Sequence, residues 1–557
     1  MSPQAKKWLV LFPYVLVALA IFSFVYADYD SYDYDLKKLC RVAMTIEERY
    51  AEEVELDSII ENGINGMLFS LDSYSRYLKQ DDYRDILDYT HGEFEGIGIE
   101  VDMRQNSLII VSVLEGTPAY RAGLRPGDKI ISVDGKLTSE LSRRKALELM
   151  RGHAGSYLSF SILRPGFPDF ISYKLPREYV EVNSVPFYTL LPDGIGYTRL
   201  TRFTETSYAE MKEALRSLLE DGAKSLIIDL RSNSGGLLLE AVKVAGLFME
   251  SGRMVVETRS RNGDVNRHYS SNDGLICTEL PLVILIDGGT ASAAEIVAGA
   301  IQDWDRGLIV GSNSYGKGLV QRILKLDSYS ALKLTTSKYY TPSGRCLQKD
   351  TEAGKLDMKD YNYAGDSSHP VYYTSTGRQL SNDGGIQPDV AVIPVDETEL
   401  IKALKRQGML FDFAVNYVAE YGMSIDSNFV VDENIVRQFK EYLQEEDFDY
   451  KPEFEIRYDS FLTSFSSERL SGEMKEYLDD FGDNLEKLKL EMFDTDRELI
   501  KWALTEEILT IKLGPKARYR LVWLKQHPEI KKARKILNSP EVYSNVLTGI
   551  FTDTIKP

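Results

Sequence analysis

Ser292 stands where an apolar strand runs into a helix, in Ile286-Asp287-Gly288-Gly289-Thr290-Ala291-Ser292-Ala293-Ala294-Glu295. Small neighbours at such a junction let a serine hydroxyl stand exposed at a helix N-terminus, with adjacent backbone N–H groups free to meet a negative charge. The same spelling also suits a plain N-cap at Thr290 or Ser292. Twenty-five residues further on, Lys317 lies in Val310-Gly311-Ser312-Asn313-Ser314-Tyr315-Gly316-Lys317-Gly318, followed by Gln321. Gly311 through Lys317 spells G-x-x-x-x-G-K, but glycine at 318 supplies no hydroxyl for Mg²⁺, so the phosphate-loop reading fails. A lysine buried among glycines and apolar strands would instead favour its neutral amine and serve as a general base. A third segment, Asp229-Leu230-Arg231-Ser232-Asn233-Ser234-Gly235-Gly236-Leu237, places a glycine pair where a strand turns into a helix. Gly235 and Gly236 either bring backbone N–H groups close to a ligand or only permit a tight turn.

The five histidines, His91, His153, His268, His369 and His527, have no metal-ligand spacing and support no Ser-His-Asp arrangement. A serine nucleophile in this chain therefore calls for another base. Three widely spaced cysteines, Cys40, Cys277 and Cys346, make neither a disulfide framework nor a metal cluster. No metal and no cofactor is expected.

The elements that must carry these residues follow from hydrophobic period. Beyond residue 178 strands and helices alternate: strands at 194–200, 225–230, 282–286 and 308–310, and helices at 207–220, 237–249 and 293–302. That order argues for a layered α/β domain. Between residues 92 and 177 the pattern is of short strands punctuated by Gly116-Thr117-Pro118, Arg125-Pro126-Gly127-Asp128 and Asp134-Gly135, with one helix around Ala146 to Met150. Residues 36–89 show helical spacing. From 398 onward the chain is helical and charged, and Met474, Leu478, Phe481, Leu485 and Leu488 fall three and four apart.

At 557 residues the chain calls for three or four domains, because one core rarely exceeds roughly 250–300 residues. Eighty-five acids against 66 bases give a net charge of −19, which repels phosphate backbones and argues against a nucleic-acid partner. Lys6 and Lys7 precede an apolar run over 8–26 that ends in Val25-Tyr26-Ala27, and the acidic spacer Asp28-Tyr29-Asp30-Ser31-Tyr32-Asp33-Tyr34-Asp35 follows. A basic flank, an apolar stretch and a small-residue end predict export, with the run acting either as a cleaved signal or as an inner-membrane anchor facing the periplasm.

In these motifs the sequence resembles the carboxyl-terminal processing peptidases, or tail-specific proteases, a family of exported serine peptidases. The likeness keeps one order over about 350 residues. It starts over Tyr50 to Leu78, similar to the family's N-terminal helical segment, with Gly66-Met67-Leu68 and Leu71-Asp72-Ser73-Tyr74-Ser75, where the family usually shows Pro-His in place of Ser73-Tyr74. Gly92-Glu93-Phe94-Glu95-Gly96-Ile97-Gly98-Ile99 is similar to the opening of the family's PDZ domain. The three segments above follow, then Lys338-Tyr339-Tyr340-Thr341-Pro342-Ser343-Gly344-Arg345 and Gly385-Ile386-Gln387-Pro388-Asp389.

The resemblance implies a multidomain α/β protein with all-α segments. Residues 1–27 would be a signal peptide or anchor, 28–90 a spacer and helical segment, and 91–177 a PDZ domain. Residues 178–397 would form a layered α/β (ClpP/crotonase-like) protease core, and 398–557 a helical C-terminal region. It further implies Ser292 as nucleophile, Lys317 as base and Gln321 as the residue orienting the lysine, with an oxyanion hole from Ala293 and Gly235 or Gly236. Gly96, Ile97, Gly98 and Ile99 would hold the C-terminal carboxylate of a flexible, apolar protein tail. The helical segments would serve a homo-oligomer or a regulatory partner. The competing reading is a non-catalytic PDZ-containing periplasmic adaptor or holdase with a degenerate core.

Overall fold

The computed structural model describes residues 34–549 apart from 105–106, 262, 264–265, 273–275, 278, 350–370, 382–383, 394–396 and 465–471. The apolar run 8–26, the acidic spacer through residue 33 and His369 lie outside the described residues. The described residues fall into two compact units: a smaller one within 34–83 and 321–336, and a larger one within 84–320, 337–349 and 371–549.

In the smaller unit the helix Leu56–Phe69 leads to the strand Arg76–Lys79, which pairs antiparallel with residues 330–333. The link is the Leu71-Asp72-Ser73-Tyr74-Ser75 segment, and its aspartate explains the turn. Asp72 Oδ1 accepts the N–H groups of Tyr74 and Ser75, both at 2.7 Å, and Oδ2 accepts the Ser75 hydroxyl at 2.9 Å. A carboxylate bonded to the backbone two and three residues on is a self-contained turn. The Ser75 hydroxyl then receives the Thr335 N–H at 3.2 Å, which registers the strand pair.

The larger unit is organised around a six-stranded sheet: Phe187–Leu190, Ile195–Arg199, Ser225–Asp229, Leu282–Ile286, Leu308–Gly311 and Val390–Ala391, neighbours in space in the order of the chain. The first pair is antiparallel and the remaining four pairings are parallel. All five residues of Leu282–Ile286 are buried, as an unbroken apolar strand in a parallel sheet covered on both faces should be. One face packs against helices Ser207–Glu220, Leu238–Gly246 and Ala293–Asp303 through Leu226, Ile228, Ile284 and Ile286.

The other face is closed by chain from the far end of the sequence. Ile227, Val283, Leu285 and Val310 pack with Leu524, Ile530, Ala533 and Ile536, so the helices Pro528–Leu537 and Pro540–Leu547 complete the sheet. Residues 399–513 form a helical body with a core of their own, built on Leu404, Phe413, Phe439, Leu504 and Ile508. The region beyond residue 398 thus supplies two different things: an independent helical body and the missing layer of the α/β core.

Ahead of this core in the chain comes a small β-domain whose sheet runs Ile99–Arg104, Ser107–Val113, Lys129–Val133, Tyr157–Leu163, Ile171–Pro176. Its interior is Leu108, Ile110, Ile130, Val133, Leu158, Phe160 and Ile162, with Ala146 and Met150 from the helix Arg143–Met150. Ile171–Pro176 is not among the strands named from the sequence, although its Ile-Ser-Tyr-Lys-Leu alternation matches its alternation of half-buried and exposed side chains. This domain leans on the helical body. Arg104 bridges to Asp412 at 3.1 Å and lies over the Phe411 ring, and Gly127 approaches so closely that a Cβ there would fall 2.3 Å from Val415.

Candidate active site

The helix Ala293–Asp303 is buried along its whole length and points its N-terminus at the turn that carries Ser292. Ser292 has φ +56° and ψ −116°, a conformation that costs a non-glycine residue about 1–3 kcal/mol. It is not the extended geometry of an ordinary N-cap, although Ser292 still opens the helix in a capping box with Glu295. Thr290 is occupied elsewhere: its hydroxyl donates to Leu230 O at 2.9 Å and accepts the Asp287 N–H at 2.9 Å.

The turn is pinned by Glu295. Its Oε2 accepts the Ser292 N–H at 2.7 Å and the Lys317 N–H at 2.9 Å; its Oε1 accepts the Gly316 N–H at 2.7 Å and the Ser314 hydroxyl at 2.5 Å. One fully buried carboxylate therefore holds the serine turn and the lysine loop together, with the two backbone nitrogens no more than two hydrogen bonds apart. Burial pushes the Glu295 carboxyl up, while the four donors oppose that push. Ser292 and Lys317 are half-buried. The sequence reading quoted Glu295 without giving it a role. The signal was present, since a glutamate three residues after a helix-opening serine is the capping-box spacing.

The glycine turn closes the site from the other side. A Cβ on Gly235 (φ +100°) would lie 2.8 Å from Ser292 Cβ and 2.9 Å from the Ala293 nitrogen; one on Gly236 (φ +141°) would lie 2.1 Å from Phe203 O. Both positions need glycine for close approach as well as for backbone shape. Gly235 N–H is donated to Asn233 Oδ1 at 2.9 Å, so as an oxyanion donor it must be shared with or released by that side chain. Gly235 O accepts the Tyr89 hydroxyl at 3.3 Å. The two loops are knitted by Ala291 N–H to Asn233 O at 2.9 Å and by Asp287, which accepts Ser232 N–H at 2.7 Å and the Ser232 hydroxyl at 3.1 Å. Ser292, Ala293, Gly235 and the Lys317 loop are thus gathered at one place. Gln321 belongs to the smaller unit, where its Nε2 donates to Thr335 Oγ1 at 3.4 Å.

Behind the turn lies a buried charge cluster. Asp229, at the end of its strand, accepts Arg199 at 2.7 Å, Arg231 at 2.7 and 3.0 Å, and the Tyr197 hydroxyl at 2.6 Å. Although burial alone would raise the Asp229 pKa, the two guanidinium groups hold the carboxyl well below the usual carboxylate range.

In the β-domain Gly96, Ile97 and Gly98 are buried and precede the strand Ile99–Arg104, which lies at the edge of its sheet. Ile97 O accepts the Ala119 N–H and Gly98 O the Leu114 N–H, both at 2.9 Å. Gly98 has φ +84°, and a Cβ on it would fall 2.3 Å from Thr117.

Residues 194–354 match "Peptidase family S41", residues 109–164 match "PDZ domain", and residues 400–537 match "Probable PDZ-protease, C-terminal helical domain". Over 307 residues the chain is 40% identical to the carboxy-terminal-processing protease of Bartonella bacilliformis, spanning 54% of this chain and 70% of that one. The chain belongs to peptidase family S41. It is similar along more of its length to the carboxy-terminal processing protease CtpA of Bacillus subtilis, with 29% identity over 469 residues, 83% of this chain and 91% of that one. Within S41 it is a serine-type carboxy-terminal processing protease with a PDZ domain and a helical C-terminal domain, acting on protein substrates.

Proposed function

We propose that this S41 peptidase is an exported endopeptidase that cuts proteins with flexible apolar C-terminal tails by means of a Ser292/Lys317 dyad. The observation that supports the reading is the single Glu295 oxygen shared by the Ser292 and Lys317 backbone amides, which ties the serine turn to the lysine loop. Neutral Lys317 takes the proton of the Ser292 hydroxyl as Oγ attacks the scissile carbonyl, and protonated Lys317 returns it to the leaving amine. The tetrahedral oxygen is met by the Ala293 N–H at the helix N-terminus and by the N–H of Gly235 or Gly236, each such donor contributing about 3–4 kcal/mol. The family resemblance assigns the orienting of that lysine to Gln321. Export rests on the basic flank and apolar run of residues 6–26, which directs the enzyme to the periplasm as a secreted or anchored form.

The PDZ domain selects the tail. An incoming peptide adds as a strand to the free edge Ile99–Arg104 and places its carboxylate at the loop Gly96, Ile97 and Gly98. Two outcomes check this. Amidating the C-terminus of a cleaved peptide raises its KM about tenfold or more; identical kinetics for the free acid and the amide would remove carboxylate capture. Gly98→Ala forces a side chain into Thr117 at positive φ, which costs the domain about 1–3 kcal/mol. Tail affinity measured by titration calorimetry should fall with it, while cleavage of a short peptide lacking a tail should not.

Helices Glu453–Ser464 and Gly472–Thr495 expose Ile456, Phe461, Tyr477 and Phe481. Of the predicted stripe, Met474, Phe481 and Leu488 are exposed while Leu478 and Leu485 are half-buried, which supports a role for this arm in self-assembly or in holding a regulatory partner.

A further inference from the structure

The cluster behind the glycine turn continues beyond what the proposed chemistry uses. Arg231 grips Asp229 with Nε and Nη2, and its Nη1 donates to Glu529 Oε2 at 2.9 Å and to His527 Nδ1 at 2.8 Å. Arginine only donates, so His527 Nδ1 is the acceptor in this bond. Arg231, Asp229 and Glu529 are all buried, and His527 is wedged between Trp502 and Trp523, with ring centroids at 5.0 and 4.8 Å. Trp523 also lies beneath both Arg199 and Arg231. Two cations thus face two carboxylates, and one of the carboxylates comes from some three hundred residues further along the chain.

Arg231 is also the residue from which the glycine turn departs. Its own N–H returns to Asp229 Oδ1 at 3.0 Å, and Ser232, next in the chain, has φ +55° and is fastened to Asp287. Leu230 O takes the Thr290 hydroxyl and the Asn233 N–H, and Asn233 in turn holds the Gly235 amide. A displaced Arg231 guanidinium therefore shifts the backbone that presents Gly235 and Gly236 to Ser292.

We propose that Glu529 and His527 are positioning residues for catalysis: by holding Arg231 they set the Ser232–Gly236 turn, so the C-terminal helices are part of the catalytic apparatus and not only a covering layer. This rests on the Ser292 reading above. In the full-length enzyme, with active sites counted by a serine-directed phosphonate, Glu529→Ala should lower kcat about 10- to 100-fold with KM changed less than about twofold. Glu529→Gln, which keeps an acceptor oxygen, should recover most of the loss, and His527→Ala should show the same kcat-selective defect. Hydrogen exchange of residues 231–237 should quicken in each variant. Should Glu529→Ala not fold, Glu529→Gln and His527→Ala decide the matter. Unchanged kcat per titrated serine in the folded variants, or quickened exchange confined to residues 524–537, would overturn the proposal. If the wild-type enzyme cleaves no protein tail, the dyad reading fails, and exchange at 231–237 still decides whether Glu529 and His527 hold the turn.

Discussion

Ser292→Ala leaves a folded enzyme that no longer cleaves: kcat falls on the order of 10⁴- to 10⁶-fold, the scale seen when a serine peptidase loses its nucleophile. The fold tolerates the change because the Ser292 backbone is held through its N–H by Glu295, and alanine retains that group. Unfolding should move by less than about 1 kcal/mol. Lys317→Ala should fall to a comparable floor, since its N–H bond to Glu295 also survives while the amine is gone. The double variant should be no slower than either single one, as residues acting in one proton transfer are not additive. Mass spectrometry of a tailed protein substrate reads all three. Turnover above about one per cent of wild type in either single variant would sink the dyad assignment.

Glu295→Ala is expected to be the most damaging change outside the dyad. It strips four donors of their acceptor: the amides of Ser292, Gly316 and Lys317 and the Ser314 hydroxyl. Leaving such a group of buried donors unpaired costs about 3–5 kcal/mol, and denaturant melts should register it. The serine turn and the lysine loop keep the Tyr315 N–H to Thr290 O bond at 2.9 Å but lose the carboxylate that ligates both, so kcat should drop at least about 100-fold in whatever fraction remains folded. Glu295→Gln sharpens the test. Its volume is unchanged, but its amide must turn two hydrogens towards donors, so it should resemble the alanine variant in kcat while losing less stability. A glutamine variant with full activity would show that the carboxylate merely fills space.

Local signals were readable in the sequence wherever function and fold both depend on neighbours in the chain. The Ser292 turn, the glycine pair and the PDZ opening all announce themselves through small residues beside apolar strands, because close backbone approach and positive φ leave few choices of residue. The alternation of strand and helix after residue 178 was likewise legible, since an unbroken apolar run such as Leu282–Ile286 suits a doubly covered sheet. What sequence reasoning missed was long-range. It took the chain beyond 398 as a single helical region, although Ile530, Ala533 and Ile536 pack on Val283 and Leu285 of the core. Amphipathic spacing shows that a helix buries a face and not which partner receives it. His527 was set aside for lack of metal spacing, and its bond to Arg231 crosses 296 positions of sequence. Glu295 was visible as a capping-box residue, but its grip on residues 314–317 required the loop to be seen in place.

The layer contributed by Pro528–Leu537 also governs when the enzyme comes into being. Arg534 meets Asp193 across 341 positions, and Leu282 shares its backbone groups with the Tyr543 hydroxyl across 261. Contacts of such separation close late and slowly, because loop entropy must be spent before they form. During synthesis the serine turn is therefore made well before the sheet beneath it can be covered on both faces. A nascent or truncated chain lacking residues 528–547 would hold every residue of the dyad over a half-solvated sheet. On the proposed reading, the peptidase would become competent only once residues 528–547 have docked on the face of the sheet that lies under Val283 and Leu285.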